Sequence, residues 1–521
     1  MAVPVGLAPV CRELQKAAVT LTQQQLETSL WSAANALRGP VDPADFKNYV
    51  FPVLFWKWLS DTHDYNHELA VAEWGDDLTD EIEADFQPFR IPREYHWDVV
   101  ARSTQARKGL RVRTAMDAIA QANPETLRGV FGDAAFANED RVPRPALDAL
   151  LNAFDELTLN PKQVTGDMLG AAYEYLLEKF ADSSGQKAGE FFTPRSVVHM
   201  LVDILDPQPG ESVYDPACGS GGMLVETVHA ITAAGGDPRA VHLHGQEVNL
   251  TTSAIARMNL FLHGIEDHDI VRGDTLRNPA HRTAAGELQT FDKVIANPPF
   301  SLQDWGADSW SADKFGRAFC GVPPAKNGDY AWVQHMITSL KPTGRAAVVL
   351  PHGVLFRGGK EAAIRKCIID KDQVEAVIGL APNLFYATSI PVCILVLRKA
   401  KPDERKRKVV FIDASKRFQP GKNRNDLNEA DVKAIHAAYH EGKDIDGEDG
   451  LALRLVDLDE IKTNDYDLNI GRYVTTTVTG DEATVKDTLA AWMTARGERE
   501  LAEEALLARL AEARFGVKDD A

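Results

Sequence analysis

From about residue 161 to residue 400, short apolar runs alternate with stretches of helical periodicity. No other feature constrains the chain as strongly, because strands that are apolar on both faces need helices on both sides. The runs lie at 211–215, 241–247, 269–272, 291–296, 345–350, 374–380 and 392–397. They predict an α/β fold, Rossmann-like, with a mainly parallel seven-stranded sheet whose last two strands could form an antiparallel edge.

The flanks read differently. Residues 1–160 predict a helical domain: Leu26, Leu30, Ala34 and Leu37 recur at helical spacing, and Asp42-Pro43 has the chemistry of a helix start. Phe46, Val50, Phe51, Leu54, Phe55 and Trp58 then form an aromatic-rich stripe, best read as core, which Pro52 should kink or cut short. The α/β domain is expected over 161–475, with 401–475 charged and turn-rich. A helical tail follows over 476–521, its helix spanning about 482–515 and carrying Val485, Leu489, Trp492, Leu506 and Leu510, a candidate subunit contact.

No run of 18 apolar residues appears, and the first residues lack a basic-then-apolar leader, so neither a membrane span nor a secretory signal is expected. The five cysteines show no CxxC spacing. That argues against a disulfide framework and against a zinc site, predicts no metal, and points to a reducing cytoplasm. A formal charge of −19 is unusual for a chain that grips DNA unaided. The densest basic stretch, 398–424, reads equally well as a DNA face and as a solvated loop.

The chemistry concentrates in three places. Asp215-Pro-Ala-Cys-Gly-Ser-Gly-Gly222 joins a strand to a helix. Gly219, Gly221 and Gly222 let backbone approach a ligand, and the helix start offers free N–H groups. Glu247 and Asp274 end the next two strands, where acids can accept from ribose hydroxyls and from an adenine amine. Upstream, Gly189-Glu-Phe-Phe-Thr-Pro-Arg195 has Thr193 as a candidate N-cap and Pro194 as first helical residue, with Thr193 and the helix start positioned for a carboxylate. The most specific signal is Asn297-Pro298-Pro299-Phe300, directly after a strand. The Asn297 side-chain oxygen and the Pro298 carbonyl can hold the two N–H bonds of an exocyclic amine, whose lone pair is otherwise delocalised into its ring. Phe300 offers a face on which an extruded base can stack.

These segments resemble the amino-methyltransferases that act on DNA, in the order of cofactor motif first and catalytic motif second. Within that family the chain is most similar to modification subunits of Type I restriction-modification systems, which also carry an Asn-Asp-Tyr-Asp-Leu-Asn-Ile segment like 464–470 and an N-terminal helical domain. The resemblance implies a Rossmann-like methyltransferase domain that transfers a methyl group from S-adenosylmethionine to N6 of a flipped adenine in double-stranded DNA. It implies Glu190, Phe191, Phe192, Thr193, Pro194, Arg195, Ser220, Gly221, Gly222 and Glu247 as cofactor contacts. It further implies a specificity subunit, two modification subunits to one, and a restriction subunit carrying motor and nuclease. No GxxxxGK[ST] loop is present, so the chain is not itself the motor. Only about 75 residues separate Gly222 from Asn297, too few for a target-recognition domain. RNA and protein-glutamine methyltransferases share the tetrapeptide, cytosine-N4 transfer uses related motifs, and a cofactor-sensing scaffold in a defence complex is a non-enzymatic alternative. Intact Asn297 and Phe300 count against the scaffold.

Overall fold

The computed structural model describes residues 21–184, 193–385, 390–422, 424–474 and 485–512. Residues Met1–Thr475 form one compact unit and Thr476–Ala521 a second.

The first unit begins with helices. Helix α1 (Gln23–Asn35) opens on a capping box at Thr22 and buries Leu26, Leu30 and Ala34. Asp42 accepts from Ala44 N–H, as its Asp-Pro chemistry predicts. Helix α2 (Phe46–Trp74) continues past Pro52, so the proline does not end it. Its stripe is core: Phe46, Val50, Phe51, Leu54 and Phe55 are buried, and Trp58 is partly so. Burying each such side chain contributes roughly 1.5–3 kcal/mol before entropy is charged. Helices α3 (Lys108–Ala122), α4 (Arg144–Asp155) and α5 (Gly166–Ser184) complete the helical layer.

That layer packs on helix α8 (Leu250–Leu262) of the α/β region. Phe55 and Phe89 meet Phe261 at ring-centroid distances of 6.0 and 5.4 Å, and Ile255 and Met258 join the same apolar cluster.

The described residues form a ten-stranded sheet, ordered β3-β2-β1-β4-β5-β7-β6-β8-β10-β9. Strands β1 (Ser212–Asp215), β2 (His242–Glu247), β3 (His268–Arg272), β4 (Phe291–Ala296) and β5 (Leu340–Pro351) are parallel. All five match expected runs. Strands β6 (Val374–Gly379) and β7 (Val392–Arg398) also match, but they are no edge. β7 lies between β5 and β6, antiparallel to both, and β6 pairs onward, parallel, with β8 (Lys408–Asp413). The region expected to be merely turn-rich adds β8, β9 (Ile445–Asp446) and β10 (Ala452–Asp457), the last antiparallel to β8. One face of the sheet is covered by α6 (Arg195–Leu205), α7 (Gly222–Ala233) and α11 (Glu429–Glu441). The other is covered by α9 (Asp329–Thr338) and α10 (Lys360–Asp370).

Two cysteines correct the expectation drawn from spacing. Cys320, in the loop before α9, forms a disulfide with Cys367 of α10, their Cα atoms 5.6 Å apart. A pair 47 residues apart has no local signature. Cys218 and Cys393 are buried free thiols. No described helix is long and apolar enough to cross a membrane.

In the second unit, helix α12 (Val485–Glu512) runs through Gly497 and exposes Leu489, Trp492, Leu501 and Leu506. The outer ends of the expected helix lie outside the described residues.

Candidate active site

The site lies where β1 and β4 end side by side. After β1 the chain turns through 216–221 into α7. Gly219 (φ +53°) and Gly221 (φ +79°) adopt left-handed conformations, and a Cβ on Gly221 would stand 3.4 Å from the Ala256 carbonyl oxygen. Three remote groups pin the loop. Cys218 N–H donates to the Gln246 carbonyl (3.1 Å), buried Asn259 Nδ2 to the Ser220 carbonyl (3.0 Å), and Thr275 Oγ1 to the Pro216 carbonyl (2.6 Å). The sequence reading missed Asn259 and Thr275, which carry no motif of their own.

Asp215 ends β1 almost wholly buried, its carboxylate accepting from Ala217 N–H at 3.0 Å. Burial pushes its pKa up to about 8; the Ala217 N–H opposes the shift and the nearby Glu247 carboxylate adds to it.

Thr193 differs from expectation. Pro194, not Thr193, is the N-cap residue of α6, and it makes no side-chain capping bond. The Thr193 hydroxyl instead accepts from Asn297 Nδ2 at 2.8 Å, across 104 residues of sequence. With its nitrogen so engaged, Asn297 leaves Oδ1 buried and without a hydrogen-bond partner among the described residues. Pro298 is buried, Pro299 exposed, and Phe300 partly buried against Phe385, edge to face at 6.3 Å. The turn beyond is anchored from below: Ser301 N–H donates to Asp329 Oδ1 (2.7 Å), and fully buried Asp329 is held by Arg357, which also pairs with Glu361 (2.8 Å). Sequence reasoning missed Asp329 and Arg357 as well.

Thr193, Arg195, Asp215, Gly219, Ser220, Gly222 and Asn297 all border one cavity of about 1340 Å³. Arg195, at the rim, is salt-bridged to Glu174 of α5. Glu247 and Asp274 are not among the residues that line the cavity. Glu247 accepts from Gly219 N–H (3.2 Å) and Asn249 N–H (2.8 Å), while Asp274 accepts from Arg277 N–H (3.0 Å). Glu190, Phe191 and Phe192 lie outside the described residues.

Residues 164–482, which include this whole arrangement, match the model of the family described as N-6 DNA Methylase. The chain belongs to that family. A second model, the HsdM N-terminal domain, matches residues 26–154. Among relatives of this N-6 DNA methylase, a Type I restriction enzyme methylase subunit of Methanocaldococcus jannaschii is 30% identical over 86% of this chain and 84% of its own. One from Mycoplasma pneumoniae is 30% identical over 88% and 91%. A crystal structure of a type I restriction-modification methyltransferase subunit from Streptococcus thermophilus superposes with a TM-score of 0.76 at 32% identity, covering 88% of this chain and all of that one. The chain is thus a modification subunit of the Type I kind.

Two further stretches find structural places. The 464–470 segment docks behind the site: Leu468 N–H donates to the Leu355 carbonyl (2.9 Å) and Arg365 Nε to the Tyr466 carbonyl (2.8 Å). In the basic stretch, Lys406, Arg407, Arg417 and Arg424 pair with Asp403, Asp459, Asp431 and Glu178. These pairings favour the structural reading over an open DNA face.

Proposed function

We propose that this modification subunit transfers a methyl group from S-adenosylmethionine to N6 of an adenine extruded from duplex DNA, in the cytoplasm. A specificity subunit chooses the target, two modification subunits to one, and a restriction subunit completes the assembly. The carrying observation is Asn297: its amide nitrogen is tied to Thr193 and its buried oxygen has no partner among the described residues, a polar debt that an incoming N–H donor settles. The Pro298 carbonyl is the second acceptor of the same amine, and Phe300 is the stacking face for the base.

The cavity residues suit the cofactor. The loop around Gly219 and Gly221 gives close backbone approach, the start of α6 suits a carboxylate, and Asp215 suits a cation. When bound, S-adenosylmethionine supplies an electrophilic methyl group on a sulfonium. The protein's part is alignment of amine and methyl and stabilisation, by the Asn297 and Pro298 oxygens, of the positive charge that develops on the amine nitrogen as it takes the methyl and before it loses a proton to water. The overall charge of −19 and the short span between Gly222 and Asn297, which leaves no room there for a recognition domain, support reliance on a partner for DNA affinity.

The test is tritiated methyl transfer by the complex reconstituted with its specificity subunit. Label should enter duplex DNA only when that subunit is present. Transfer to RNA or protein instead, or tight sequence-specific DNA binding by the isolated chain at physiological salt, contradicts the reading.

Two expected results concern the cofactor. Glu247→Ala removes the carboxylate that holds Gly219 N–H, the group assigned to the ribose hydroxyls. Calorimetry should show S-adenosylmethionine binding weakened roughly 10- to 100-fold, the worth of about one charge-assisted hydrogen bond. Equal affinity in wild type and variant refutes the assignment.

The second is a pH dependence. Below pH about 8 the Asp215 carboxyl of the free protein is mostly protonated. A cationic ligand favours its ionised form, so binding at neutral pH releases a proton. Affinity therefore rises as pH approaches about 8 and levels off above it. Calorimetry in buffers of different ionisation enthalpy reads the release directly. Asp215→Asn should abolish it, and an affinity independent of pH in the wild type contradicts it.

A further inference from the structure

We propose that His244, Asp269 and His281 form a site for a divalent transition-metal ion of the zinc class, which staples the 274–281 loop to the outer strands of the sheet. His244 on β2 and Asp269 on β3 are directly paired in register, so backbone hydrogen bonding fixes them side by side. His281 comes from the loop after β3. Its Nε2–H donates to the Gly245 carbonyl at 3.0 Å, which leaves Nδ1 as the ligating nitrogen. The loop is held in place by buried Gln246, whose side chain accepts from Ala280 N–H (2.9 Å) and donates to the Asn278 carbonyl (3.2 Å).

The ligand atoms converge. Asp269 Oδ2 lies 3.4 Å from His281 Nδ1 and 3.7 Å from His244 Nδ1, and all three ligand atoms are within 4.8 Å of one another. Zinc held by nitrogen and oxygen at about 2.0–2.2 Å sets tetrahedral edges of roughly 3.4 Å. The trio therefore needs adjustments of tenths of an ångström on the two carboxylate edges.

Chemistry supports the geometry. His244 Nδ1 is buried without a hydrogen-bond partner, and the His281 side chain is only 3% exposed. A cation gives the orphaned nitrogen a partner and removes the repulsion between the His281 lone pair and the carboxylate. Asp269 is the exposed member, with 58% of its side chain accessible, so it offers an entry path and leaves the fourth position to water.

Full-length protein stripped with chelator is titrated with zinc and, for its visible absorption, with cobalt. A second group, His63, Asp64 and His96, lies in the helical layer, so the site is read as the difference between wild type and variant. Asp269→Asn and His244→Gln should each lose one metal equivalent and the matching part of the tetrahedral cobalt bands. Zinc should raise the melting temperature by a few degrees more in wild type than in either variant. Melting in chelator reports whether a variant is folded; Asp269, being exposed, gives the conservative arm. Equal stoichiometry in wild type and Asp269→Asn, or no zinc binding by the wild type, overturns the proposal. The latter result would leave the trio as a proton-shared ion cluster.

Discussion

Asn297→Ala is expected to lower methyl transfer by on the order of 100-fold or more, while S-adenosylmethionine affinity stays close to wild type. The Asn297 oxygen is buried and unpartnered among the described residues, so what it gains on accepting an amine N–H is gained with the target present, and most in the transition state. Its amide makes a hydrogen bond to Thr193, whose loss should cost little in stability. Asn297→Asp keeps an acceptor but adds a charge beside Thr193, so partial activity is expected. Single-turnover transfer alongside calorimetric cofactor binding separates the two quantities. Near wild-type turnover in Asn297→Ala means the tetrapeptide is only a turn at a strand end.

Asp329→Ala carries the largest expected effect on stability, about 3 kcal/mol. The carboxylate is fully buried, receives Ser301 N–H and pairs with Arg357. Removing it strands a guanidinium that is 28% exposed and leaves a backbone donor without its acceptor. The loss falls at the low end of the range for a broken buried pair because Glu361 still holds Arg357. Denaturant unfolding measures it, with Arg357→Met and the double variant closing a cycle that should show strong coupling. Methyl transfer should fall too, since the turn that follows the tetrapeptide loses its anchor. A variant within about 0.5 kcal/mol of wild type would remove Asp329 from the account.

What could be read from the sequence follows the range of the interactions involved. Strands β1 to β5 are short apolar runs between helices, a local signal, and their positions were legible. Insertion of β7 between β5 and β6 was not, because the order of strands in a sheet is settled by tertiary packing. β8 was missed because its buried Val409, Val410, Phe411 and Ile412 lie between charged neighbours. Within the site, the glycine loop and the tetrapeptide announced themselves through residue types that few backbones need. Thr193 was recognisable as helix-start chemistry, yet its hydroxyl serves Asn297, a partner set by the fold. Asn259, Thr275, Asp329 and the Cys320–Cys367 bond likewise depend on partners far along the chain. The residues that present the chemistry were visible, and those that hold them in position were not.

The central claim, transfer to the adenine amine by Asn297, is tested most directly by identifying the product. Duplex DNA bearing the target is incubated with S-adenosylmethionine and the reconstituted complex, digested to nucleosides and analysed by mass spectrometry. The account predicts N6-methyladenine from the wild-type complex and essentially none from the Asn297→Ala complex. N4-methylcytosine, or equal N6-methyladenine from both complexes, would contradict it.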